Sequence, residues 1–284
     1  MSKFGTTFGE RERMLILAKT YPTPSSKSVE TTCVAAVSEG GELRRIFPVP
    51  FRLLPHELQF NKWQWVTANF RAPNDDRRPE SRRIDVDSLV VGETLTTGKD
   101  KLWSERMRLV EPHSVLSFNH LEQKRQNTGE TLGFVKPSRI IGLDITPLPP
   151  AEQNWTMEQI EKLTRDLEQG DLFGSQDKQN QKRRVTLEKI PFHFHYRYEI
   201  DCEGDTIQYR HLITDWEAGE LYRNCLFRYR ESWQEKFRAK LETEFLEKDL
   251  YFMMGTQHRF PDQWLIISIV YPPKGRLAQH SLFL

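Results

Sequence analysis

The sequence predicts an α+β protein. A β-rich, barrel-like module is expected over residues 1–147, a linker with one short helix over 148–186, and an antiparallel α+β module over 187–284. Three observations carry this. Residues 192–200 alternate strictly between large apolar and polar side chains, the period of a half-buried strand. Between Gly219 and Gly255 no Gly or Pro occurs, and Leu226, Tyr229, Trp233, Phe237, Leu241 and Phe245 recur at three and four residues, which is one helical face. Residues 14–147 hold several short apolar runs separated by turn residues, the pattern of a small barrel or strongly bent sheet.

In chain order, residues 14–20 read as a strand ended by Tyr21-Pro22-Thr23-Pro24. Residues 31–37 and 43–49 read as a hairpin around Gly40-Gly41. Further strands are expected at 63–70, at 86–95 and within 132–145, with partial helix over 103–126. Pro147, Pro149 and Pro150 open the linker. Its helix, 156–169, has Thr156 and Gln159 placed as a capping box and Gly170 just past its end. Then Lys189 leads into strand 192–200, a turn at Cys202-Glu203-Gly204-Asp205, and a return strand over 206–213. Thr214 with Glu217 fits a capping box for the next helix, and Ser232 with Glu235 a second helix start. Residues 250–254 and 264–271 read as two buried strands.

Composition narrows the function classes. Net charge is +1, so no global field marks a polyanion or membrane partner, and any such surface must be local. No apolar run reaches membrane-span length, so no membrane partner is expected. The first residues lack a signal-peptide apolar core, and Cys33, Cys202 and Cys225 are too few and too scattered for a disulfide framework. Both point to a cytoplasmic location. No Gly-rich phosphate loop, nucleophile elbow, HExxH or CxxC pair occurs, so no cofactor and no metal are expected.

Three stretches can carry chemistry. Residues 71–83 place Arg71, Arg77, Arg78, Arg82 and Arg83 among Asp75, Asp76 and Glu80. With Arg44, Arg45, Arg52 and the tryptophans Trp63 and Trp65, they form a candidate surface for DNA or RNA. Guanidinium forks match phosphate oxygens and exposed aromatics stack on bases. The bland reading is a solvated loop beside two core tryptophans. Second, His193 and His195 share one strand face. His211, Asp215 and Glu217 would complete a His/carboxylate site if the hairpin register brought them to that side. Third, Gln169, Asp171, Leu172 and Phe173 resemble the pentapeptide by which bacterial DNA-processing proteins bind the sliding clamp, with Gly170 departing from its usual second position.

The segments TDWEAGELYRN, EKDLYFMMGTQ and WLIISIVYPPK are similar to those of an uncharacterised family of prokaryotic hypothetical proteins. So are LAKTYPTPS, RRIFPVPFR and KWQW with RPES downstream, in the N-terminal half. The resemblance implies a bacterial origin in a mobile-element or defence locus and transfers no catalytic role. The expected function is a non-catalytic, nucleic-acid-associated protein of DNA maintenance or defence. The alternatives are a metal-dependent nuclease using the hairpin cluster and a protein-interaction scaffold.

Overall fold

The computed structural model describes residues 9–25, 29–99, 101–169 and 187–274, the side chains of 164–169 excepted. Its first strands are β1 (Arg11–Lys19), β2 (Thr23–Ser25), β3 (Val29–Ser38), β4 (Leu43–Val49), β5 (Gln64–Arg71) and β6 (Ser81–Thr94). They form a sheet in the order β1-β5-β6-β4-β3-β2, and β1 pairs with β3 as well. The sheet therefore closes into a ring of five strands, with β2 added outside. Every pairing is antiparallel except β4 with β6. This is a closed five-stranded barrel with Greek-key connections.

Met14, Ile16, Val34, Ala36, Ile46, Val66, Ala68 and Phe70 fill the barrel, and Phe51, Leu54 and Phe60 plug one end. The intervening residues Leu15, Leu17, Ala35 and Val37 belong to a second cluster outside it. That is why β1 reads as an unbroken apolar run: it is buried on both faces.

The rest of the chain supplies α1 (Ser104–Val110), β7 (Ser114–Val115), α2 (Phe118–Thr128), β8 (Leu132–Val135), β9 (Arg139–Pro147) and α3 (Met157–Gln169). Then come β10 (Phe192–Cys202), β11 (Asp205–Leu212), α4 (Trp216–Tyr229), α5 (Trp233–Arg238), β12 (Tyr251–Gln257) and β13 (Phe260–Val270). One sheet runs β11-β10-β9 and another β13-β12-β8-β7. The fold is α+β, as expected. One expectation needs correction. The strands at 132–145 do not join the barrel: β8 pairs with β12 and β9 with β10. Their apolar faces match C-terminal partners far along the chain, which adjacency in sequence does not reveal.

The four-stranded sheet lies on the outside of the barrel, where Phe134, Tyr251, Met253 and Ile267 meet Leu15, Leu17, Ala35 and Val37. Polar bonds reinforce the seam. Arg45, 3% exposed, donates to the Thr131 carbonyl at 3.0 Å, and Glu80 accepts from the Thr131 amide at 3.0 Å. The three-stranded sheet buries Phe194, Tyr196, Tyr198 and Ile200 with Tyr222, Trp233, Phe237 and Leu241. Its other face is open. No described helix is long and apolar enough to cross a membrane.

Candidate nucleic-acid interface

The arginine-rich segment links β5 to β6, and most of its charge is spent internally. Arg83 grips both oxygens of Asp75 at 2.7 and 2.6 Å. Arg78 grips Asp76 and also donates to the Thr256 carbonyl at 3.1 Å. Burial works against an ionised Asp76, but bonds from Arg78 and Ser81 hold its pKa down to about 2. Arg82 donates to the carbonyls of Pro79 and Ser81 and lies 3.8 Å from Glu12. Arg44 lies between Glu12 and Glu42, and Arg52 pairs with Glu30 at 2.9 Å. Arg71 is half-buried at the end of β5, and Arg77 is exposed at the loop tip. Arg45 is sealed in the seam. Trp63 is 4% exposed, packed edge-on against Trp103 and covered by Arg106, and Trp65 is covered by Arg13 at 4.4 Å. Neither indole offers an open stacking face.

The hairpin residues do not converge. The turn holds Glu203 and Gly204 at φ 55° and 92°, the two positive angles a two-residue hairpin turn needs. It sets Cys202 opposite Asp205, hence Tyr196 opposite His211 and His195 opposite Leu212. His211 therefore shares the inward face of Tyr196 and Tyr198. Its Nδ1 lies 2.9 Å from the Tyr198 hydroxyl, and burial pulls its pKa down to about 4. His193 and His195 face the other way.

Asp215 and Glu217 sit at the start of α4, and the expected capping box is corrected. The Thr214 amide bonds to the Ile266 carbonyl at 2.9 Å, a strand-like link that removes Thr214 from the cap position. Asp215 caps instead, accepting from the Glu217 amide at 2.8 Å and the Ile269 amide at 2.9 Å. Burial raises its pKa to about 6. Glu217 reaches Lys62 at 3.4 Å. Ser232 likewise makes no side-chain cap. Among the described residues no group of three or more His, Cys, Asp or Glu is placed to hold a metal. Of the clamp-like stretch, Gln169 ends α3, and Asp171, Leu172 and Phe173 lie outside the described residues.

The open face of the β9-β10-β11 sheet holds an arrangement assembled by register. Asp144 on β9 lies beside His195, and Arg197 on β10 lies opposite Arg210 on β11. Arg197 donates to Asp144 Oδ1 at 2.9 Å and Arg210 to Oδ2 at 2.8 Å. The bond from Arg210, then that from Arg197, keeps the Asp144 pKa below its ordinary value. Both arginines remain nearly half exposed, at 45% and 47%. Arg210 Nη2 also lies 3.2 Å from His195 Nδ1. Burial, with Arg210 and His193 nearby, pulls the His195 pKa down to about 4, so the ring is neutral at pH 7. With Nδ1 accepting, the proton sits on Nε2. Two guanidiniums thus share one carboxylate beside a neutral imidazole donor. Arg139, paired with Glu199, lies farther along the same sheet. Sequence inspection missed Arg197, Arg210 and Asp144 as site residues. A two-residue turn already implies that Arg210 faces Arg197, whereas nothing local implies Asp144.

The fold and this face define a class: a Greek-key barrel fused to an antiparallel α+β module with an open, arginine-bearing sheet. The chain belongs to the family described as a domain of unknown function (DUF8757), whose profile covers residues 113–284. A second domain of unknown function (DUF8758) matches residues 10–112. The boundary between them falls after the barrel and α1, so β8 and β9 lie with the C-terminal strands they pair with, and β7 with β8. No curated protein matches the chain.

Proposed function

We propose that this protein is a non-catalytic, nucleic-acid-associated binding protein of DNA maintenance or defence, and that it holds the phosphate backbone on the open β9-β10-β11 face. The observation that carries the reading is the pair Arg197 and Arg210 sharing the single carboxylate of Asp144. Each guanidinium spends its Nε–H on Asp144. Donors remain for a phosphate oxygen, and the pair keeps one unneutralised charge. The neutral His195 adds an N–H donor without competing for that charge. Such contacts position a strand and read no sequence, so the expected binding is sequence-tolerant and salt-sensitive. The barrel architecture supports the reading by analogy alone. Arg77 at the loop tip is the one member of the arginine-rich loop with open access comparable to that face.

The test is salt-dependent binding of a single-stranded oligonucleotide to the wild type and to Arg197→Ala/Arg210→Ala. Removing the pair, which carries one unneutralised charge, flattens the log–log salt slope by about 0.7. The fold should survive, because both side chains are on the surface. Equal affinity and equal slope for the two proteins would refute the assignment of this face.

A further inference from the structure

A groove of about 780 Å³ lies where the exit of β1, the connection from β9 to α3, the lead-in to β10 and the C-terminal half of α4 meet. That volume is ample for a small-molecule site. Its floor depends on Gly219: a Cβ there would fall 2.6 Å from the Tyr21 ring, so only glycine lets Tyr21 lie against α4. Tyr21 then anchors the lead-in to β10 by donating to the Glu188 carbonyl at 3.0 Å.

Three kinds of group meet in the lining. The first is aromatic. Trp155 is fixed by its indole N–H on the Leu187 carbonyl at 2.6 Å, and Phe227 stands at the rim 74% exposed. An exposed phenylalanine beside an exposed Leu226 is costly to leave in water unless something covers it. The second is cationic. Arg223 is consumed by Glu188 and Glu220 at 3.3 and 3.4 Å. Lys189 donates to the Asn154 carbonyl at 3.4 Å and lies 5.2 Å over Trp155. Arg230 lies 5.9 Å from the Phe227 ring and has no carboxylate partner among the described residues. The third is amide: Asn224 donates to the Glu220 carbonyl at 2.9 Å, leaving its own side-chain oxygen to accept.

Arg230 is also strained. It closes α4 at φ 48° and ψ −117°, a region in which glycine is at home and a residue with a Cβ is not. A sequence selected only to end this helix would place glycine there. An arginine held in that conformation adds its guanidinium to the groove lining, to which the β10 lead-in contributes Lys189.

We propose that this groove binds one unpaired nucleotide, its base against Phe227 and its phosphate taken by Lys189 and Arg230. The exposed π-face of Phe227 suits a base, the Asn224 amide suits its hydrogen-bonding edge, and two cations that have no carboxylate partner among the described residues suit a phosphate. The nucleotide is either free or part of a single strand. The site goes beyond the sheet-face reading and does not depend on it.

The experiment is calorimetric titration of the full-length protein with adenosine monophosphate and with a deoxyadenosine hexamer. Phe227→Ala should weaken both by roughly five- to a hundredfold. Arg230→Gly should also weaken both, yet leave the thermal midpoint unchanged or raised, because glycine relieves the strain. A merely structural Arg230 would not separate the two readouts. Equal affinity per site for monophosphate and hexamer marks the free nucleotide as ligand, and tighter hexamer binding marks a strand. Arg197→Ala/Arg210→Ala should retain monophosphate binding, so the sheet face and the groove fail separately. Three results would overturn the proposal: no binding of either probe, binding unchanged in both groove variants, or tighter binding of an acidic, phenylalanine-bearing peptide with none of either nucleotide.

Discussion

Replacing Lys19 by methionine should abolish a rise in stability that the wild type shows between about pH 8 and 10.5. Lys19 ends β1 where the barrel meets α4. Its ammonium lies 3.8 Å over the Phe51 ring and 5.3 Å from Trp216, and it donates to the Phe60 carbonyl at 2.8 Å. Burial lowers its pKa from 10.5 to about 8, against the attraction of Glu217, Asp215 and Glu220. The folded pKa is thus below the unfolded one. Below pH 8 both states carry the proton and the native state bears the full desolvation cost. Between pH 8 and 10.5 the unfolded chain holds a proton that the native chain has released, so stability rises with pH. A depression of that size is worth about 3 kcal/mol as an upper figure. At pH 7 the methionine variant escapes this net cost and loses only the bond to Phe60, worth about 1 kcal/mol, so it should be the more stable protein by about 2 kcal/mol. At pH 10.5, where the native amine is neutral and keeps the bond to Phe60 without the cation–π contact, the wild type should be ahead by about 1 kcal/mol. Urea denaturation of both proteins across this range measures the difference, in which the titration of tyrosines and cysteines cancels. Parallel pH profiles would refute the reasoning.

Two further predictions follow from the sites above. Asp144→Asn should raise oligonucleotide affinity and steepen the salt slope by about 0.7, since it frees one more charge, at a stability cost below about 1 kcal/mol. The same salt titration reads it, and weaker binding would mean that Asp144 chiefly orients the two arginines. Asp215→Asn should cost about 2 kcal/mol in urea denaturation, because an amide can accept from only one of the Glu217 and Ile269 N–H groups on its oxygen and leaves the other unpaired in the interior. Thr214→Ala, which loses only a 3.5 Å hydroxyl contact, should cost under about 1 kcal/mol. Equal costs would contradict Asp215 as the cap.

What could be read from the sequence is what short-range physics controls. The alternation over 192–200 announced β10 and its buried face, because a strand places every second side chain on one side. Thr156 and Gln159 announced the start of α3: the Gln159 amide donates to the Thr156 hydroxyl at 3.3 Å and the Gln159 side chain accepts from the Thr156 amide at 2.9 Å. Both bonds lie within four residues. The α4 start failed the same reasoning because a long-range bond from Thr214 to Ile266 outranked the local box.

The sequence by itself therefore determined the α+β class, the strand-rich first third and the hairpin with its inward aromatic face, since hydrophobic period and turn geometry are properties of neighbouring residues. Tertiary structure alone decided the rest. It closed five strands into a barrel, took β8 and β9 away from that barrel, and consumed the loop arginines in ion pairs with Asp75 and Asp76. It also brought Asp144 beneath Arg197 and Arg210. These outcomes depend on which distant surfaces bury the most apolar area together and on which charges then lie within bonding distance, and neither quantity is encoded in any single stretch of the chain.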